Sequence, residues 1–161
     1  MKRNNSIWLA LLATLLLMLP AEVLGQTSSS ITGAGVATLP SEVSFNGRAI
    51  SRLEFGLGID IAADGSASGD VQITLVGTSG EGEQRIIVEG KIAGPAVQLF
   101  GAATLSGTCS IDLGDGTTPT SGTPLILTVT SLDNGKATLT LVLGLTNLPA
   151  ATLSEGNLTV K

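Results

Sequence analysis

The chain has 161 residues, a formal net charge of −5 and 43% hydrophobic residues, which is enough apolar material for one globular core. Only 8 Lys and Arg stand against 13 Asp and Glu, so the composition argues against nucleic-acid binding, which depends on cations that neutralise phosphates. Histidine and tyrosine are absent, and Trp8 is the only tryptophan. Histidine-dependent serine hydrolases, His/Cys zinc sites and aromatic sugar-binding platforms are therefore disfavoured.

Residues 1–25 predict a secretory signal peptide. A charged start at Lys2 and Arg3 precedes an apolar run at residues 7–19. That run is shorter than the roughly 20 residues that a membrane-spanning helix needs. Cleavage after Gly25 would leave a secreted, periplasmic or cell-surface protein with no transmembrane segment.

Residues 26–30 are predicted to be a flexible Ser/Thr lead into a single β domain at residues 31–161. In that domain, β-favouring segments alternate with breaks rich in Gly, Pro, Asn and Asp. This pattern is typical of an all-β fold, an antiparallel β-sandwich or barrel of about eight to nine hairpin-connected strands.

In the first half of the domain, residues 55–61 alternate large apolar side chains with Gly56 and Gly58. Asp64-Gly65 is a two-residue hairpin signal, and residues 77–82 are predicted to form the next connection. The sequence therefore predicts antiparallel strands whose aliphatic rows face one core.

The middle of the domain is broken at Gly94-Pro95. After this break, we expect either a pair of strands at residues 96–100 and 103–113 or one bent strand over both segments. Residues 115–123 are predicted to be a loop, because they contain two glycines and a proline.

The last part of the domain contains the clearest hairpin prediction. A strand is expected to begin at Pro124, to turn at Asp133-Asn134-Gly135 and to return through residues 137–143. In the final segment, residues 150–160, a bulge near Gly156 would restore a common inward face.

Three apolar residues, Ile87, Ile126 and Val142, fall on the nominal outer face of their strands. Either a second sheet or another molecule would cover them. We expect a second sheet, because a sandwich needs no partner to bury these side chains.

The only cysteine, Cys109, excludes an internal disulfide. It occupies an alternating row of small and apolar residues, which predicts a buried thiol that acts as a small hydrophobe. The alternative is an unpaired thiol that forms a disulfide with a partner chain.

Paired carboxylates are the remaining route to catalysis, since they can hydrolyse glycosides without histidine. Asp60, Asp64 and Asp70 lie around the predicted hairpin, and Glu81 and Glu83 are expected to lie in an exposed loop. Ordinary turn chemistry explains these positions without a ligand.

Asp112, Asp115 and the turn at Gly116 offer oxygen ligands for calcium, but their spacing does not match an EF-hand loop. Lys91 and Lys136 would supply a Ser-Lys arrangement, yet both positions suit ordinary surface lysines. We therefore assign no catalytic, cofactor-binding or metal-binding residue.

Three short sequence segments are rich in turn glycines and strand threonines: ATLSG at 103–107, LGDGT at 113–117 and ATLSEG at 151–156. With these segments, the chain resembles small uncharacterised secreted bacterial all-β proteins. The resemblance covers most of residues 31–160. The resemblance implies a secreted all-β module and carries over no catalytic residue.

These observations favour an exported, non-catalytic β module that serves as a cell-surface, periplasmic or extracellular interaction or structural protein. Its expected partner is an unidentified protein or envelope component, and self-association is a further option. Two alternatives remain: a carboxylate-dependent secreted hydrolase, and a small outer-membrane β-barrel of eight tilted strands, for which the aromatic girdles are missing.

Overall fold

The structure is a computed structural model that describes residues 27–79, 82–99, 101–132 and 136–161. The predicted signal peptide at 1–25 lies outside the described residues. The described chain forms ten strands: β1 Ser29–Phe45, β2 Arg48–Ile61, β3 Ser66–Ser79, β4 Gly82–Pro95, β5 Val97–Leu99, β6 Ala102–Asp112, β7 Thr120–Ser131, β8 Ala137–Leu143, β9 Thr146–Asn147 and β10 Ala151–Val160. Among these residues there is no helix of the length and apolarity that a membrane crossing requires.

The strands form one antiparallel sheet that closes on itself. Its order is β10-β1-β2-β3-β4-β6-β7-β8, and β10 returns to β8 through the pairs Ala151–Leu139 and Thr152–Thr138. The two short strands lie off this ring, β5 beside β6 and β9 beside β8. The predicted all-β, antiparallel and hairpin-connected fold is confirmed, with eight strands in the ring and two short additions.

The interior of the ring is filled by aliphatic side chains. Period-two alternation directs alternate residues of β2, β3, β4, β6, β7 and β8 inward. Hydrophobic burial is the main force that holds such a sheet closed. No polar or charged side chain is buried within the described part of the chain. The largest fully buried side chains are Ile31, Ile50, Leu53, Ile59, Ile73, Leu75, Ile86, Leu105, Leu125, Leu127, Leu139 and Leu141.

The predicted hairpin at Asp64-Gly65 is confirmed between β2 and β3. The Asp64 carboxylate accepts hydrogen bonds from the Ser66 amide at 2.8 Å and the Ser66 hydroxyl at 2.6 Å. Gly65 has a φ of 82°, in the left-handed region that favours glycine. The carboxylate and the glycine therefore fix this turn locally.

The other predicted strand pairs are also present. β7 and β8 pair from Leu125–Leu143 to Ser131–Ala137, although the predicted turn at 133–135 lies outside the described residues. β5 pairs with β6, so residues 96–113 form a strand pair and not a bent strand.

Several boundaries differ from the prediction. Ser29 and Ser30 belong to β1 and not to a flexible lead, because Ser30 exchanges backbone hydrogen bonds with Lys161 at 2.9 Å. β3 and β4 continue into the predicted connection at 77–82, since Gly77 pairs with Gln84. β7 begins at Thr120, four residues before Pro124, because Thr120 already pairs with β6.

The bulge in β10 lies at Ser154, two residues before the predicted position. Val36 pairs with Glu155 and Ala37 pairs with Leu153, which leaves Ser154 as the extra residue. Its hydroxyl donates a hydrogen bond to the Val36 carbonyl at 3.0 Å.

The prediction that a second sheet covers the outer apolar residues is wrong. Ile87 and Ile126 are 39% and 41% exposed, and Val142 is half-buried. One sheet supplies the whole core by closing on itself, so its outer face remains in solvent.

Candidate functional site

A groove of about 760 Å³ lies on the outward face of β2, β3, β4 and β6 and reaches Gly122 of β7; we call it the outer groove. Strand register builds it from two cross-strand rows on neighbouring strands. The first row is Gly58, Asp70, Lys91 and Thr108, and the second is Gly56, Gln72, Glu89 and Ser110.

Two glycines of β2 form one end of the outer groove. A Cβ atom built on Gly56 or Gly58 would meet no atom within 4 Å, and neither residue has a positive φ. Neither sterics nor backbone conformation therefore requires glycine there, although glycine weakens a strand interior by roughly 0.5–1 kcal/mol relative to alanine. The missing side chains leave the groove open down to the backbone.

The polar side chains of the outer groove include one ion pair. Lys91 Nζ lies 2.8 Å from Asp70 Oδ1, and both side chains are largely exposed. The hydrogen bond with Asp70 and its charge raise the pKa of Lys91 above its ordinary value. A lysine base needs a lowered pKa, so this geometry disfavours a Ser-Lys mechanism at Lys91. Glu89 makes no ion pair among the described residues.

A four-residue ion-pair cluster lies beside the groove on the same face. Arg52 contacts Glu83 at 3.0 Å and Glu54 at 3.8 Å. Arg85 contacts Glu83 at 2.8 Å and also contacts Glu54. Hydrogen bonds from Arg52 and Arg85 hold the pKa of Glu83 below its ordinary value. Glu83, a candidate for the hydrolase pair, is therefore kept as a carboxylate by two arginines.

The remaining acidic candidates are dispersed. Asp60 lies on the outward face of β2, Asp64 stabilises the β2–β3 turn, and Glu81 lies outside the described residues. Hydrogen bonds from Ser66 lower the pKa of Asp64. None of these positions joins Asp70 in the outer groove.

The candidate calcium ligands are engaged in loop structure. Asp112 accepts a hydrogen bond from the Gly114 amide at 2.8 Å. Asp115 accepts hydrogen bonds from the Thr117 amide and hydroxyl, and it pairs with Arg48 at 3.1 Å. The Thr117 hydrogen bonds and the Arg48 charge together lower the pKa of Asp115. Within the described ranges, no group of three or more His, Cys, Asp or Glu is placed to hold a metal ion.

Cys109 is buried in the core, as predicted from its position in an alternating row. Burial raises the pKa of its thiol above the ordinary value, which lowers the thiolate fraction that a disulfide exchange requires. The inward position disfavours a disulfide with a partner chain.

Sequence reasoning missed Glu89 as a groove residue. Period-two alternation is enough to place Glu89 and Lys91 on the outward face of β4, but the groove exists only because β2, β3 and β6 assemble around that segment. A local signal was present in Gly56 and Gly58, two glycines that alternate with buried aliphatic residues inside one strand.

Comparisons of this chain with models of protein families, with curated proteins and with solved structures found no match.

Proposed function

We propose that the protein is an exported, non-catalytic binding module whose outer groove holds an extended segment of a protein partner. The observation that carries this proposal is the pair of glycines at Gly56 and Gly58, which have open space above them and no structural need to be glycine. Glycine inside a strand often marks a place where a ligand or another backbone approaches closely. A side chain at either position would narrow the groove.

The size of the groove suits an extended peptide. From β2 to Gly122 of β7 it crosses four inter-strand intervals, or about 19 Å at normal strand spacing. About six residues of extended chain have that length. The two polar rows offer hydrogen bonds to a main chain along this path.

The charge of the groove favours a basic segment. Asp70 is neutralised by Lys91, whereas Glu89 has no described cationic neighbour within ion-pair distance. The whole chain also carries a net charge of −5, which attracts cationic partners over a distance of several ångströms. We therefore propose a partner segment with at least one Lys or Arg opposite Glu89.

A carboxylate-dependent hydrolase is the second candidate, because Asp70 and Glu89 line the same groove. They are diagonal neighbours across β3 and β4, about 7 Å apart by ordinary sheet geometry, which is within the range of inverting glycosidases. A general acid, however, needs a carboxyl group that its surroundings keep protonated, usually through burial. Asp70 is 78% exposed and paired with Lys91, and Glu89 is exposed as well. Binding is the better-supported function of this groove.

The outward charges also count against the outer-membrane alternative. Arg52, Arg85 and Lys91 lie within strands and face away from the core. A lipid-facing Arg or Lys costs roughly 2–4 kcal/mol at the middle of the bilayer. A surface in contact with water carries these residues without that cost.

Site-specific photocrosslinking tests the groove directly. A photoreactive benzoylphenylalanine at Gln72, an exposed residue of the outer groove, should capture a discrete partner protein when the full chain is made in a producing cell. This position already carries a long side chain, so the probe leaves the space above Gly56 and Gly58 open. The same group at Thr140, which is half-buried on the outer face of β8, should not capture the partner. Glu89→Lys in the Gln72-labelled chain should reduce the captured product by at least about tenfold, because it places a cation opposite the basic segment.

Three outcomes would contradict the binding proposal. One is equal capture from Gln72 and Thr140, and another is capture that Glu89→Lys leaves unchanged. The third is turnover of a glycoside by the purified protein that is lost in both Asp70→Asn and Glu89→Gln, which would identify the groove as catalytic.

Removal of the signal peptide can be tested through Trp8, which is the only tryptophan in the chain. If cleavage follows Gly25, the mature product should have an intact mass that begins at Gln26 and no indole fluorescence. A secreted or periplasmic product that retains tryptophan emission would contradict removal of residues 1–25.

A further inference from the structure

The last strand has an edge that no described strand covers. β10 pairs with β1 along its length, but it meets β8 only at Ala151 and Thr152. From Leu153 to Val160, its second edge has no strand partner within the described residues. An open edge of this length is a template for pairing with another strand.

The backbone groups that point to this edge follow from the β1–β10 ladder. Ser30 and Lys161 exchange both of their backbone hydrogen bonds at 2.9 Å. In an antiparallel ladder, hydrogen-bonded residues alternate with residues that direct their N–H and C=O groups to the opposite edge. Gly156, Leu158 and Val160 therefore present three donors and three acceptors along the free edge.

We propose that two copies of the chain associate through this edge, with the two β10 strands antiparallel about a twofold axis. A contact between the same edge on both copies is self-complementary, and it closes at two subunits. Paired in this way, each copy satisfies the backbone groups that the other exposes.

Hydrogen bonding and charge together select one register. Leu158 would lie opposite Leu158 of the second copy, and Gly156 would lie opposite Val160 of the second copy, so that all three residues are bonded. The same register places Glu155 opposite Lys161 of the second copy. The twofold axis repeats this ion pair with the two copies exchanged. Glu155 and Lys161 share the outward face, since they pair with Val36 and Ser30 on one regular stretch of β1. A shift of two residues in either direction loses both ion pairs.

The expected partner is a second copy of the chain, because the acidic and basic side chains along this edge meet their opposites when two copies pair. The strand has one acidic and one basic side chain beyond the bulge, at the two positions that a twofold axis brings together. This inference is independent of the outer groove, whose lining residues lie on β2, β3, β4, β6 and β7 and include none from β10.

A charge-swap experiment tests both the dimer and its register. The exported protein should sediment as a dimer in analytical ultracentrifugation. Glu155→Lys and Lys161→Glu should each weaken dimerisation by at least about tenfold, because each places like charges opposite one another twice. The double variant E155K/K161E should return to within about threefold of the original dissociation constant. Glu42→Lys, at an exposed position on β1, changes the net charge by the same amount as Glu155→Lys and should have no effect.

A protein that sediments as a monomer up to about 100 μM would overturn the proposal, since that concentration lies well above the range of specific dimers. So would a dimer that neither single variant weakens, or one that the double variant fails to restore. Circular dichroism of each variant confirms that the fold is unchanged, which is expected because all three positions are on the surface.

Discussion

Replacing Leu127 with alanine should lower the free energy of unfolding by about 2–5 kcal/mol. Leu127 is 0% exposed at the centre of β7, and strand register places it between Leu105 of β6 and Leu141 of β8. Truncation of the side chain removes apolar contacts and leaves a cavity in the core. The cavity cannot close easily, because the neighbouring strands β6 and β8 hold β7 in place. Urea denaturation measures the loss as a lower midpoint with an unchanged slope.

Ile126 is the matched control, because it adjoins Leu127 in sequence and faces the opposite side of the sheet. It is 41% exposed, so Ile126→Ala should cost less than about 1 kcal/mol. Equal losses at the two positions would show that the outer face of β7 is covered, and would contradict a sheet that closes on itself.

The face of each strand was predictable from the sequence because it depends on period-two alternation alone. Phe55, Leu57 and Ile59 are buried in β2, and the intervening Gly56 and Gly58 face outward, as the pattern predicts. The turn at Asp64-Gly65 was predictable for a similar reason, since its carboxylate and its glycine act within four residues. Local chemistry determines both features.

The closure of the sheet was not predictable in this way. It rests on two residue pairs between β8 and β10 and on long-range registers that no local pattern encodes. Alternation identified Ile126 as outward but did not decide what lies over it, and the expected second sheet was wrong for that reason. The register of β4 against β3 likewise determines that Lys91 meets Asp70, 21 residues away in sequence.

The outer groove depends on the same long-range information. Its rows combine residues from four strands, and only the assembled sheet shows that Glu89 and Gly56 share one surface. Of the acidic residues that the sequence singled out, Asp64 stabilises a turn, Glu83 joins two arginines, and Asp70 lines the outer groove. Glycines inside a strand were the more informative signal, because a strand has a conformational reason to avoid them.

Replacing Gly107 with alanine should destabilise the protein by about 3 kcal/mol or more. Gly107 lies in β6 opposite Ile92 of β4, and a Cβ atom there would overlap the Lys91 carbonyl oxygen and lie 2.9 Å from the Ile92 Cα. Both obstacles are backbone atoms, so no change of rotamer relieves the overlap. The β4–β6 ladder must separate instead, which weakens hydrogen bonds on both strands.

Gly56→Ala is the control for this substitution, because the same added methyl group meets no atom within 4 Å. It should leave stability unchanged or raise it by up to about 1 kcal/mol, since alanine has less conformational freedom to lose on folding. Denaturation of both variants measures the contrast, and crosslinking from Gln72 in the Gly107→Ala chain should fall because Lys91 lines the outer groove. If Gly107→Ala were no more costly than Gly56→Ala, β4 and β6 would not approach as closely as their register requires. Gly56 would then behave like a glycine that the fold requires, and its presence would no longer indicate that the groove leaves room for a partner.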